Sequence, residues 1–417
     1  MNNQIPIAPQ YIKDFEQLGF GMFVHYGLFS QLNNGEWTYR RGSYKGMSKE
    51  EYMKLADTFN CIGMADIVAT AKAAGCKYIC LTTRHHEGFS LYDSDDVSTY
   101  NALHTPAGRD LVAEFVEECR KVDIVPFFYH TTLDWFHPDF EGNFEAYLDY
   151  LYKSVEILCT RYGKIGGLWF DGNWIKPDAD WQEDKLYSMI HRYQPEAMIV
   201  NNTGIRARGK EGHPEIDSVT FERGMAEPLD RRGRKKYVAG EMCETLCDHW
   251  GVADDINFKS VKTLIESLCK CRKVGANFLL NIGPDPDGSV PLMQKGIMQC
   301  IGRWMKTYGT AIYNGRPYLS YPDKKEFVLK DITDDKTAYL FKFDLGYSTG
   351  DVNVSLGFGE DVTAVLDGFD RKVKSIRWMD NEQDLPFTQD GDALTVQFVG
   401  FTYGQSLCVR VAKVELE

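Results

Sequence analysis

Through the first three quarters of the chain, short apolar runs alternate with longer stretches whose apolar residues recur every three to four positions. The runs fall at residues 20–25 (FGMFVH), 77–83 (KYICLTT), 124–130 (IVPFFYH), 165–171 (IGGLWFD), 197–202 (AMIVNN), 218–222 (SVTFE), 237–242 (YVAGEM) and 276–282 (ANFLLNI). Each is near-continuously apolar over four to seven residues, the pattern of a strand buried on both faces. Between them, residues 65–74, 110–122, 144–162, 180–193 and 259–274 carry the helical period, and Gly75 supplies a stop after the first. Eight strands with interleaved helices predict an α/β fold, a (β/α)8 TIM-like barrel. One connection breaks the pattern. Residues 223–236 (RGMAEPLDRRGRKK) hold Pro228 and Gly233 among charges and predict a solvated loop.

After Tyr313 the helical period stops. Alternating runs at 326–330, 338–343, 352–356, 373–378, 394–399 and 406–411 are separated by turn signals such as DDK, DGFD and QDGD. They predict a C-terminal antiparallel β-sandwich. The expected division is a catalytic barrel over 1–315 and a sandwich over 316–417, with the boundary in 314–322.

Composition adds little to this picture, at 43% hydrophobic and 26% charged, but the formal net charge of −13 argues against nucleic-acid and anionic-membrane partners. No apolar stretch is long enough to span a bilayer. The N-terminal segment has neither a basic nor an apolar signal region, which reads as a cytoplasmic protein or a trimmed mature form. The 11 cysteines sit mostly in apolar runs and read as reduced core residues; Cys269 and Cys271 do not have a zinc spacing. No metal and no cofactor is expected.

The chemistry lies at the strand ends. In a barrel these converge on one face, where active sites are built. Here the predicted strands end in His25, the pair His85-His86, Tyr129-His130, Asp171, Asn201-Asn202, Glu222 and Glu241. For one such residue, capping a turn is explanation enough. Polar groups at seven of eight tips are not explained by packing, because each costs a few kcal/mol to bury unpaired. Two carboxyl groups from different strands, with Trp37, Trp135, Trp169 and Trp174 nearby, suggest glycoside hydrolysis, one acid attacking the anomeric carbon and the other protonating the leaving oxygen. Two other classes compete. A metal-dependent barrel hydrolase would use His25, His85, His86, His130 and Asp171, though adjacent histidines on an extended backbone should point to opposite sides. A barrel that only binds sugar would need no paired acids.

The motifs FGMFVHYG, TTRHHEGF, FFYHTTLDWFHPD, LWFDG and GANFLLNIGPDPDG occur in this order through about the first 315 residues. Together they resemble the α-L-fucosidases of glycoside hydrolase family 29, which also carry a β-sandwich tail. The resemblance implies a retaining exo-glycosidase that removes terminal α-L-fucose from oligosaccharides or glycoconjugates by double displacement; a fucose-like sugar such as α-L-galactose is the alternative. It implies Asp171 as nucleophile, and His25, His85, His86, Glu36 and Trp37 (GEWTY) and Tyr129 as sugar ligands, with Trp169 beside the nucleophile. For the acid/base it offers two residues. Glu222 matches the family segment D-x-x-T-x-E, and Glu241 in AGEMCETLCDHWG matches W-E-M-C-x-x-x-x-x-x-W-G, where this chain has Gly240 in place of the first Trp. Glu222 is preferred, because a Glu just after an apolar strand can be held protonated by burial. At strand five the family often has N-D-R-W-G. Here Thr203 stands in place of that Arg, and Arg206 or Arg208 is left to replace it. The implied partner is a fucosylated glycan, and a homo-oligomer is left open.

Overall fold

The computed structural model describes residues 4–40, 46–321, 324–345, 362–399 and 408–417, and the backbone of 353–354 and 401–402. The chain divides into two compact units, residues 1–259 with 277–299 and residues 260–276 with 300–417.

In the first unit eight parallel strands close into a barrel in sequence order. They are β1 (Phe20–Val24), β2 (Tyr78–Arg84), β3 (Val125–Thr131), β4 (Gly167–Asp171), β5 (Met198–Asn201), β6 (Ser218–Glu222), β7 (Ala239–Thr245) and β8 (Asn277–Ile282). β1 pairs with both β2 and β8, which completes the ring. Alternate residues point inward, so Phe23, Tyr78, Cys80, Phe127, Tyr129, Trp169, Met198, Val200, Cys243 and Leu279 form one interior core. The filling is tight. A Cβ on Gly21 would lie 2.4 Å from the Tyr78 ring, so the large side chain of β2 requires the missing one on β1. The helix α1 (Gln10–Leu18) adds Ile12 and Phe15 to this core, the latter edge-on to Tyr78.

The connections are helical in six of eight units. After β1 come α2 (Lys49–Met53) and α3 (Ala65–Ala74), which Gly75 ends in the left-handed conformation. Then follow α4 (Leu111–Lys121), α5 (Phe144–Arg161) and α6 (Glu183–Tyr193), and after β7 and β8 come α7 (Val261–Lys273) and α8 (Leu292–Asn314). The loop expected between β6 and β7 is present, and the β5–β6 connection also lacks an α-helix, holding only a short 3-10 turn at Ile205–Ala207. Its Gly204, Gly209 and Gly212 and Pro214 disfavour a longer helix.

In the second unit a five-stranded antiparallel sheet runs in the order β14 (Val373–Trp378), β18 (Arg410–Leu416), β11 (Thr337–Lys342), β10 (Phe327–Asp331), β9 (Gly315–Ser320). A second sheet runs β13 (Thr363–Leu366), β16 (Ala393–Gln397), β15 (Phe387–Asp390), and β12 (Asn353–Val354) pairs with β17 (Phe401–Thr402). Leu340, Ile376, Trp378 and Val414 of the first sheet share one core with Leu366, Leu394 and Val396 of the second, as in a sandwich. The run predicted at 373–378 is β14 to the residue. The run at 406–411 instead begins at Arg410 and continues to Leu416. Most of the run predicted at 352–356, and residues 406–407, lie outside the described residues.

Candidate active site

The C-terminal ends of the strands surround a cavity of about 770 Å³, within the range that holds a small ligand. Of the ten residues expected at the site, His25, Glu36, Trp37, His85, His86, Tyr129, Trp169, Asp171 and Glu222 line it. The strand alternation explains this. Asp171 lies two residues beyond Trp169, Glu222 two beyond Thr220 and His25 two beyond Phe23, each continuing an inward-facing row.

Glu241 does not line the cavity. The predicted seventh strand stopped at residue 242, which placed Glu241 at a tip, but β7 continues to Thr245. Glu241 therefore pairs with Thr220, one inward row below Glu222, and Cys243 stands level with Glu222. Its buried carboxylate accepts hydrogen bonds from Tyr78 Oη at 2.5 Å and Trp169 Nε1 at 2.9 Å. Burial pushes its pKa up to about 7 against those two bonds.

Asp171 and Glu222 share a partner. The Nδ2 of Asn202 donates to Asp171 Oδ1 at 3.2 Å and to Glu222 Oε2 at 2.8 Å. The Asn202 Oδ1 accepts from Thr220 Oγ1 and from the Gly204 N–H, which fixes the amide's orientation. Asp171 also accepts from Trp174 Nε1 at 2.7 Å and from Tyr129 Oη at 3.1 Å, and His86 Nε2 is 3.5 Å away. Burial raises the pKa of Asp171, opposed by the bonds from Trp174, Asn202 and Tyr129 and by His85. For Glu222 burial is again the largest cause and the negative charge of Asp171 the second; together they push it up to about 7 while Asn202 pulls it down. The outcome is one acid held by three donors and another poised to carry a proton near neutrality.

Behind the carboxylates, His25 Nδ1 faces Asn281 Oδ1 at 2.7 Å. Asn281 spends its own amide hydrogens on the Trp250 carbonyl, so His25 must be the donor. His86 Nδ1 faces Thr131 Oγ1 at 2.8 Å, and Thr131 donates its hydroxyl to the Leu133 carbonyl, so His86 is again the donor. Burial pushes both histidines well below their ordinary pKa, with the charge of His85 acting in the same direction. Both are thus neutral with the proton on Nδ1. Glu36 accepts the backbone N–H groups of Trp250 and Gly251 at 3.0 and 2.9 Å. Trp37 packs against His86, Trp135 and Trp174.

Two expectations fail on local geometry. His85 and His86 do not diverge; their rings are 4.1 Å apart and both face the cavity, because they follow the end of β2 in a turn where strand alternation no longer applies. His130 does not line the cavity. It lies within β3, where alternation sends Tyr129 inward and His130 outward, toward Tyr92. Among the described residues no three His, Cys, Asp or Glu side chains are grouped to hold a metal ion. Of the two arginines left to fill the strand-five position, Arg206 lines the cavity, whereas Arg208 Nε donates to the Glu222 carbonyl. Asn202 was visible as a strand-tip residue, but its bridging of two acids was not. Trp250 and Asn281 fall within the motifs AGEMCETLCDHWG and GANFLLNIGPDPDG, but nothing in the sequence assigned either a place at the site.

The family model for α-L-fucosidase matches residues 7–310. The tissue α-L-fucosidase of Bos taurus is 30% identical over 342 residues, covering 74% of this chain and 70% of its own. That of Mus musculus is 29% identical over 353 residues, covering 78% and 76%. Among solved structures, α-L-fucosidase isoenzyme 1 from Paenibacillus thiaminolyticus superposes with a TM-score of 0.80 at 28% identity, covering 98% of this chain and 99% of that one.

Proposed function

From the premise that the chain belongs to the α-L-fucosidase family and is a glycoside hydrolase, we propose that it is a retaining exo-α-L-fucosidase acting on fucosylated glycans by double displacement. Asp171 is the nucleophile and Glu222 the acid/base. The observation that carries this reading is the single Asn202 amide hydrogen-bonded to both carboxylates. Their nearest oxygens are no further apart than its two hydrogen bonds laid end to end. That bound supports the roughly 5–5.5 Å carboxyl separation of retaining enzymes over the roughly 6.5–9.5 Å that an inverting enzyme keeps for its water.

The steps follow from the proton positions. Glu222, neutral below about pH 7, gives its proton to the glycosidic oxygen as Asp171 attacks the anomeric carbon. The Glu222 carboxylate then takes a proton from water, which displaces Asp171. The Nε2 atoms of His25 and His86 carry no proton and accept from sugar hydroxyls. Glu241, bound to Tyr78 and Trp169 beneath the cavity, holds the indole in place and takes no part in proton transfer.

The test is a pair of variants on aryl α-L-fucosides. Asp171→Gly should lose at least about 10³-fold in kcat and recover part of it with azide; full activity without azide overturns the nucleophile. Glu222→Ala should retain far more rate on substrates with good leaving groups than on natural glycosides. Should Glu241→Ala show that dependence instead, the acid/base roles are exchanged.

A further inference from the structure

Glu87, in the loop after β2, is a buried acid that the reaction scheme leaves without a role. It is 1% exposed, and Gly27 packs so closely that a Cβ there would lie 3.2 Å from Oε1. Among the described residues neither of its carboxylate oxygens has a hydrogen-bond partner, and neither does His85 Nδ1. These orphaned groups face one another, with His85 Nδ1 3.3 Å from Glu87 Oε2. The rest of the His85 ring is enclosed by other rings. Tyr129 stacks on it at 5.7 Å, and Phe29 and His25 meet it edge-on.

His25 and His86 set the comparison. Each gives its Nδ1 proton to an acceptor behind the ring, Asn281 Oδ1 in one case and Thr131 Oγ1 in the other. Glu87 occupies the corresponding place for His85, with a carboxylate instead of a neutral oxygen. We infer that Glu87 is a positioning residue that takes the Nδ1–H of His85 and so fixes the ring with Nε2 toward the sugar. The contact is within ion-pair distance but off the angle of a hydrogen bond, as site contacts often are before substrate seats them. A carboxylate in this place orients the imidazole and sets which nitrogen carries the proton. The inference rests on the reading of this cavity as the fucose site.

A double-mutant cycle on kcat/KM tests it. Glu87→Gln keeps an amide oxygen that can accept as Asn281 does for His25 and should hold most of the activity, whereas Glu87→Ala removes the acceptor and should lower kcat/KM by about 10–100-fold, the scale of losing a histidine's orienting partner. In a His85→Ala background Glu87→Ala should cost almost nothing. An equal loss in both backgrounds makes Glu87 a fold support and overturns the inference alone. Full activity in His85→Ala overturns both the inference and the placing of His85 at the sugar. A second measurement does not depend on a folded variant. In 15N-histidine spectra of the wild-type protein, His85 should carry a proton on Nδ1, and a neutral His85 protonated on Nε2 sinks the inference.

Discussion

Asn202 joins two acids through one nitrogen, and its effects on them can be read from the pH profile. Glu222 must hold its proton to assist departure of the aglycone, so kcat/KM should fall as pH rises through about 7. Two substitutions should move this limb in opposite directions. Asn202→Ala removes a bond that favours the Glu222 carboxylate, so the limb moves up. Asp171→Gly, assayed with azide, removes the negative charge that disfavours that carboxylate, so the limb moves down. Limbs moving the same way in both variants would contradict the arrangement. Asp171 and Glu222 were legible as acids at the ends of apolar runs. Their sharing of one amide was not, because the atoms that meet are 31 and 20 residues apart in the chain.

At the scale of elements, the site depends on where strands stop. Gly172 follows Asp171 with φ +124, where a Cβ would lie 2.8 Å from Thr132 Oγ1 and 2.9 Å from the Leu133 nitrogen. Gly172→Ala should therefore cost about 1–3 kcal/mol through backbone strain, lower the melting temperature and reduce kcat by displacing the acid beside it. A variant with unchanged melting temperature and kcat would show that the turn has room to relax. Strand ends were also where the sequence was least legible. Cys243, Glu244 and Thr245 extend β7 although two of the three are polar, because their backbone groups pair with β8 as far as Asn281. That extension is what moved Glu241 from a tip to an inner row. The long helix α8 was missed for another reason. Gly296, Gly302 and Gly309 lower its propensity, yet Gln294, Ile297, Met298, Ile301, Trp304, Met305 and Tyr308 keep a buried 3.6-residue stripe.

For the molecule as a whole, the buried acid Glu241 couples stability to pH. Its folded-state pKa of about 7 lies above the unfolded value of 4.5, so the folded form holds this proton more tightly. Stability should therefore fall as pH rises from about 4.5 to 7, by about 3 kcal/mol from this group. Glu241→Gln, which can still accept a bond from Trp169 or Tyr78, should flatten this dependence and be more stable than the wild type at pH 8. Urea unfolding at pH 5 and pH 8 checks it, and an unchanged slope would show that Glu241 is ionised in the fold. The sequence by itself determined the eight-strand barrel, the following sandwich and the acids Asp171 and Glu222 that close two apolar runs, because hydrophobic period is a local property of the chain. Only the tertiary structure decided which acid faces the cavity and which lies below it, how His85 and His86 come side by side, and that Glu87 stands behind one of them. Those depend on register, on where a strand leaves its pleat, and on burial, which raises or lowers a pKa only once distant segments have closed around the group.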